Sequence, residues 1–240
     1  MHGVAHVGVI KAFMDKGLAF KFIAGTSVGA IVGVLTAAML PYREIEKLAR
    51  QIEWPGLKSL SWSLKGLMQN EALRLAIDRA LGGRTLEQLP IPFAAIATDL
   101  TTGERVMLRR GAAGIAVEAS CSIPVLFVPV VIDGRSLADG GLTEPVPVVA
   151  VREMGADFVI AVDVAFRPHE DQFHGLAGAA FQTFQIMANA LINEQIRHAD
   201  LAIRMNLHPL IKSSDSHDRL IAAGYAAAMD AWPKLARMLS

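Results

Sequence analysis

A long stretch without a charged residue runs from Phe22 to Tyr42, and it restricts the fold more than any other part of the chain. By length it could cross a bilayer. Its make-up argues otherwise, because it holds Gly25, Gly29 and Gly33 together with Thr26, Ser27 and Thr36, and it ends at Pro41-Tyr42. Its beginning, around Phe20, Phe22 and Ile23, favours a strand, and its second half favours a helix. A strand, a tight glycine turn and a buried helix account for both halves.

The rest of the chain alternates in the same way. Helices are expected over 5–16 with Gly17 as the stop, over 28–39, and over 42–52 with Ile45, Leu48, Ala49 and Ile52 on one face. Further helices are expected over 71–81 with Asn70 as N-cap, 112–120, 148–154, 175–198 and 218–239. Strands are expected over 20–24, 92–98, 104–108, 125–132, 135–138, 157–164 and 201–205. Asp133-Gly134 between two of these is a strong hairpin signal. Strands alternating with helices predict a three-layer α/β/α fold, and the hairpin makes its central sheet mixed. No linker or internal repeat divides the sequence, so 1–240 reads as one domain.

Composition narrows the function classes. Lys+Arg and Asp+Glu both number 23, so there is no basic excess to neutralise phosphates, and nucleic acid is not expected as a partner. The single Cys121 rules out an intramolecular disulfide and fits a reducing compartment. The start shows no secretory signal pattern, so a cytoplasmic location is expected.

Gly25-Thr26-Ser27-Val28-Gly29 has the G-x-S-x-G spacing of a hydrolase nucleophile, at a strand-to-helix junction where ligands bind in α/β folds. The glycines permit the sharp turn that exposes the serine oxygen. The helix opening at Val28 aims its free N–H groups at that oxygen, as an oxyanion would require. The plain alternative is a glycine-rich turn with Ser27 as a helix cap. A serine nucleophile also needs a base. Asp139 followed by His208 or His217 would satisfy the order of a Ser–Asp–His triad, but too few strands precede Ser27 for an α/β-hydrolase. His169, His174 and His198 have no helpful context. Asp139, in Asp139-Gly140-Gly141 after a short strand, is the other conspicuous acid.

With these residues in view, the sequence resembles the patatin-like phospholipase family over nearly its whole length. The segments that carry the resemblance are HGVAHVGVIKAF, GTSVGAIVG, IATDLTTGE, EASCSIPVLFVPVVIDGRSLADGGLTEPVPV and GADFVIAVDV. The resemblance implies a Ser27–Asp139 dyad without a histidine. It implies hydrolysis of phospholipid or lysophospholipid esters through an acyl-enzyme, with no cofactor and no metal. A carboxylate with a reference pKa near 4 must then act as base, and a dry site is the expected reason.

One departure stands out. The family carries a glycine-rich oxyanion loop before this first helix, and here Gly3 would be its last glycine, with His2 where Arg is usual. Either the natural chain extends upstream of Met1, or the loop is absent and the protein is a catalytically silent binding or regulatory relative. Residues 52–68 form a possible cap. Trp54, Trp62, Lys58 and Lys65 in this segment suit peripheral contact with the inner membrane. A nucleotide-binding reading of the turn is weaker, because it lacks the P-loop lysine and leaves Asp139 unexplained.

Overall fold

The computed structural model describes residues 2–51, 70–164, 175–207 and 216–239. One strand organises it. β2 (Phe93–Asp99) is buried at every residue. Phe93 and Ala95 face one hydrophobic cluster and Ala94 and Ile96 face another, as period-two alternation requires. On the first face lie α2 (Val28–Ala37), α3 (Tyr42–Gln51), α4 (Glu71–Ala80) and α5 (Ala113–Ser120). They meet through Ile31, Leu35, Ile45, Ile77 and Val117. On the second face α6 (Val148–Glu153) packs Ala150 and Met154. This is the expected layering of helices on both sides of a mixed sheet.

The sheet pairings decide how the site is built. β1 (Ile23–Thr26) pairs parallel with β2, ending at Thr26 opposite Ile96. β3 (Arg105–Leu108) pairs antiparallel with residues 95–98 of β2. β4 (Val130–Ile132) and β5 (Arg135–Asp139) form the hairpin. Its turn has Asp133 at φ 50° and Gly134 at φ 76°, the left-handed pair that a two-residue turn demands. β5 runs antiparallel to β2 and ends with Asp139 opposite Ala97. Ala95 and Ala97 each bond β3 on one side, so β1 and β5 must share the other. They approach end to end, and their final residues face neighbouring positions of β2.

The strands do not form one sheet. β6 (Ile160–Asp163) and β7 (Leu201–Arg204) make a separate parallel pair. Among the described residues, β1 is paired along one edge only, and so is β6. Residues of both strands line the same cavity of about 800 Å³. α1 (Ala5–Asp15) and α8 (Ser216–Leu239) pack together beneath this second pair through Phe13, Leu220 and Leu235. α7 (Gly175–Gln195) lies against the cavity from another side.

Several local expectations are corrected. The first strand covers Ile23–Thr26 rather than 20–24, because pairing with β2 begins only at Ile23; Phe20 packs edge-on against Phe13 instead. The strand expected over 125–132 is reduced to Val130–Ile132. Val125 sits at φ 73°, and the Leu126 and Phe127 N–H groups bond back to Ile123 O, which is a turn. The strand expected over 157–164 is Ile160–Asp163. Asn70 precedes α4 but is no side-chain cap, and its buried Nδ2 has no hydrogen-bond partner among the described residues. Among the described residues, no helix is long and apolar enough to cross a membrane.

Candidate active site

Ser27 stands between β1 and α2 at φ 54°, ψ −126°. A residue with a side chain holds such a backbone only where its surroundings compel it. Two contacts do so here. Ser27 N–H donates to Ser120 Oγ at 2.9 Å, and Thr26 Oγ1 donates to Glu144 O at 2.6 Å. Gly25 permits the turn, since a Cβ there would stand 2.4 Å from Gly29 O, a backbone atom that cannot rotate away. The Ser27 side chain makes no capping bond to α2, so the cap alternative fails and the hydroxyl is left for other partners. Val28 and Gly29 supply the first N–H groups of α2, which a helix cannot satisfy internally. Gly3 lies against Val28 so closely that a Cβ would meet its side chain at 1.6 Å.

Asp139 arrives from the opposite direction at the end of β5. It is 1 % exposed. Its main chain is held on both sides, with N–H donating to Ser122 O at 2.9 Å and O accepting from Thr98 Oγ1 at 3.1 Å. Oδ1 accepts from the Gly141 N–H at 2.7 Å, while Oδ2 is buried without a well-formed hydrogen bond among the described residues. The two glycines of Asp-Gly-Gly are close-approach positions: a Cβ on Gly140 would meet Ile96 O at 2.4 Å, and one on Gly141 would meet Phe184 Cζ at 2.8 Å. Burial raises the Asp139 pKa to about 7, and contact with the Ser27 hydroxyl and the Gly141 N–H opposes that rise only in part. The dry pocket thus brings this carboxyl's pKa to neutral pH, the range in which a general base works best.

The structure brings three further residues to this site. Cys121 follows Ser120 at the end of α5, and its buried thiol contacts the Ser27 side chain. Burial, then the nearby Asp139 charge, pushes the thiol pKa well up, so it remains protonated. Ser120 itself anchors the elbow. His6, on α1, lines the cavity with Nδ1 3.3 Å from Gly3 O and its ring in contact with the Val162 backbone. Burial lowers its pKa, so it is neutral at pH 7. Its one available signal was position, one helical turn after Gly3. Of the other histidines, His198 ends a short turn after α7 and His217 lies in α8. His169, His174, His208 and the segment with Trp54, Lys58, Trp62 and Lys65 lie outside the described residues.

Glu144 ties the site to the far face. Its buried Oε1 accepts the N–H groups of Val149 and Ala150 at 2.8 and 3.0 Å, and Oε2 pairs with Arg105 at 2.9 Å. Arg105→Met strands a buried carboxylate and is expected to cost about 3 kcal/mol in urea unfolding. Adding Glu144→Gln should recover part of this loss. A double variant no better than Arg105→Met would show that Arg105 acts through its other partner, Glu153.

A family model described as patatin-like phospholipase matches residues 1–152. An NTE family protein of Mycobacterium tuberculosis is 38% identical over 164 residues, which is 68% of this chain and 46% of that protein. Lysophospholipase NTE1 of Saccharomyces cerevisiae is 30% identical over 168 residues, covering 68% of this chain and 10% of that one. The chain therefore spans less than half the length of these relatives. The crystal structure of VipD from Legionella pneumophila superposes with a TM-score of 0.60 at 16% identity, covering 95% of this chain and 64% of that one, and so shares the fold. With an early G-x-S-x-G elbow, an Asp-Gly-Gly turn brought to it, and a family match over more than half its length, the chain belongs to the patatin-like phospholipase family.

Proposed function

We propose that the protein is a serine acyl hydrolase that cleaves ester bonds of phospholipids or lysophospholipids, with Ser27 as nucleophile and Asp139 as base. The observation that carries this reading is the meeting of β1 and β5 on β2, which sets a strained serine against a buried carboxylate whose pKa is about 7. Ser27 Oγ attacks the ester carbonyl as its proton passes to Asp139. The N–H groups of Val28 and Gly29, with Gly3 beside them, face the developing oxyanion. As the tetrahedral intermediate collapses, the alcohol leaves with the proton from Asp139. Water then attacks the acyl-enzyme, Asp139 again accepting a proton, and the fatty acid is released as that proton passes to Ser27 Oγ. Phe181, Phe184 and Ile192 give the cavity an apolar wall suited to an acyl chain. Cytoplasmic work at the inner membrane surface fits the composition and the lipid substrate.

A second reading, a silent relative, is favoured by one observation. Among the described residues, β1 and β6 each have an unpaired edge, and both strands line the site. Intact mass after treatment with a fluorophosphonate separates the two. The expected result is one adduct that is absent in Ser27→Ala. Its rate should rise as pH increases through about 7, because only ionised Asp139 accepts the proton. No adduct on folded protein at pH 8 would reject the hydrolase reading in favour of the silent one.

A further inference from the structure

From Gly175 through Asn193 the chain carries no ionisable side chain, its polar side chains being amides and one threonine, and this run is nearly the whole of α7. At 1.5 Å per residue the helix is roughly 30 Å long. Its two faces differ in what they meet. Phe181, the pair Phe184 and Gln185, Ala188 and Ile192 share one helical face and line the cavity that holds Ser27. On the opposite side Leu176, Ala179, Thr183, Ile186, Met187 and Ala190 form an exposed stripe of the same period. Leu176 is 87 % exposed, and Ile186 and Met187 are each 55 % exposed. The helix also turns polar groups back on itself, with Thr183 Oγ1 bonding Ala179 O and Asn189 Nδ2 bonding Gln185 O, both at 2.9 Å.

We infer that the outer face of α7 is the surface on which the protein lies against a lipid bilayer. The inference rests on the lipid-hydrolase reading above and adds the partner surface to it. Continuity with the site selects the occupant: whatever covers the outer stripe lies one helix diameter, roughly 10 Å, from the cavity where Ser27 waits. Charge selects its chemistry. A helix that binds anionic lipid presents Lys or Arg beside its apolar stripe. This one presents neither, so attachment comes from insertion of apolar side chains, without electrostatic attraction.

Flotation with phosphatidylcholine vesicles tests this without any turnover. Wild type and Ser27→Ala should float equally, to the same extent with added phosphatidylglycerol, and at low and high salt. Ile186→Glu/Met187→Glu should lower the partition coefficient roughly tenfold or more. The same variant should keep its fluorophosphonate labelling and its hydrolysis of a water-soluble short-chain ester. Failure of wild type to float, binding that requires phosphatidylglycerol and is lost in salt, or undiminished binding by the double variant would each overturn the inference. So would a wild-type dimer that the variant dissociates without change in flotation, which would make this face a contact between two copies. Flotation without labelling would instead reject the hydrolase reading and leave the docking surface standing.

Discussion

Asp139→Asn is expected to lose hydrolysis by about 10⁴-fold and to be more stable than wild type at pH 8. In the proposed mechanism the loss follows from removing the proton acceptor beside Ser27. The gain follows from the same burial that tunes the base. In the unfolded chain this carboxyl titrates near 3.9, and in the folded protein burial raises it to about 7. Between those values the folded state holds a proton that the unfolded state has released. Stability from this group is therefore greatest below pH 4, falls as pH rises, and is fully lost above about 7. The shift corresponds to a few kcal/mol, on the order of 4. Asparagine keeps an oxygen for the Gly141 N–H and carries no charge, so it avoids that cost. Urea unfolding at pH 5 and pH 8 is the check, with the variant's advantage full at pH 8 and well under half of that at pH 5. Parallel pH dependence in the two proteins would show that Asp139 does not carry the strained charge. A stabilising change that removes activity is what a site built against stability produces.

The second large effect concerns packing. Gly8→Ala or Gly224→Ala is expected to lower stability by about 3 kcal/mol or more, a melting temperature roughly 10 °C lower. α1 and α8 cross at these two residues. A Cβ on Gly8 would lie 1.9 Å from Ile221 O, and one on Gly224 would lie 1.9 Å from Ala5 O. Backbone oxygens cannot move aside as side chains do, so the helices must separate, and the contacts of Phe13, Leu220 and Leu235 open with them. Gly103→Ala is the control. It has a φ of +74° with nothing near its Cβ position, so its cost is limited to backbone strain, about 1 kcal/mol. Equal losses for all three would mean that the crossing tolerates a methyl. Because α1 also carries His6 and follows Gly3, loosening it should slow fluorophosphonate labelling before it unfolds the protein.

Much of the architecture was legible in short stretches. Glycines flanking Ser27, an uncharged helix after it, and Asp133-Gly134 between apolar runs are local signals, because turns and helix starts depend on a few neighbouring φ and ψ values. The errors were local too. Val125 and Phe127 have strand-like side chains, yet Val125 stands at φ 73° and the Phe127 N–H bonds back to Ile123 O, so this stretch folds into a turn. Asn70 has a capping side chain, but its backbone at φ −99°, ψ 24° is not that of a cap. Cys121 and His6 could not be identified from their neighbours, since each reaches the site from a different element.

By itself the sequence determined an α/β chain with a serine elbow near its start and an aspartate turn far downstream, because those features are set by residue type and spacing. Only the tertiary structure decided that they meet. β2 takes β1 and β5 end to end along one edge, which places Thr26 and Asp139 opposite adjacent residues, Ile96 and Ala97. The surrounding core then excludes water from Asp139 and raises its pKa to about 7. Hydrogen-bond register and desolvation arise only between segments far apart in the chain, so no stretch of sequence read alone contains them.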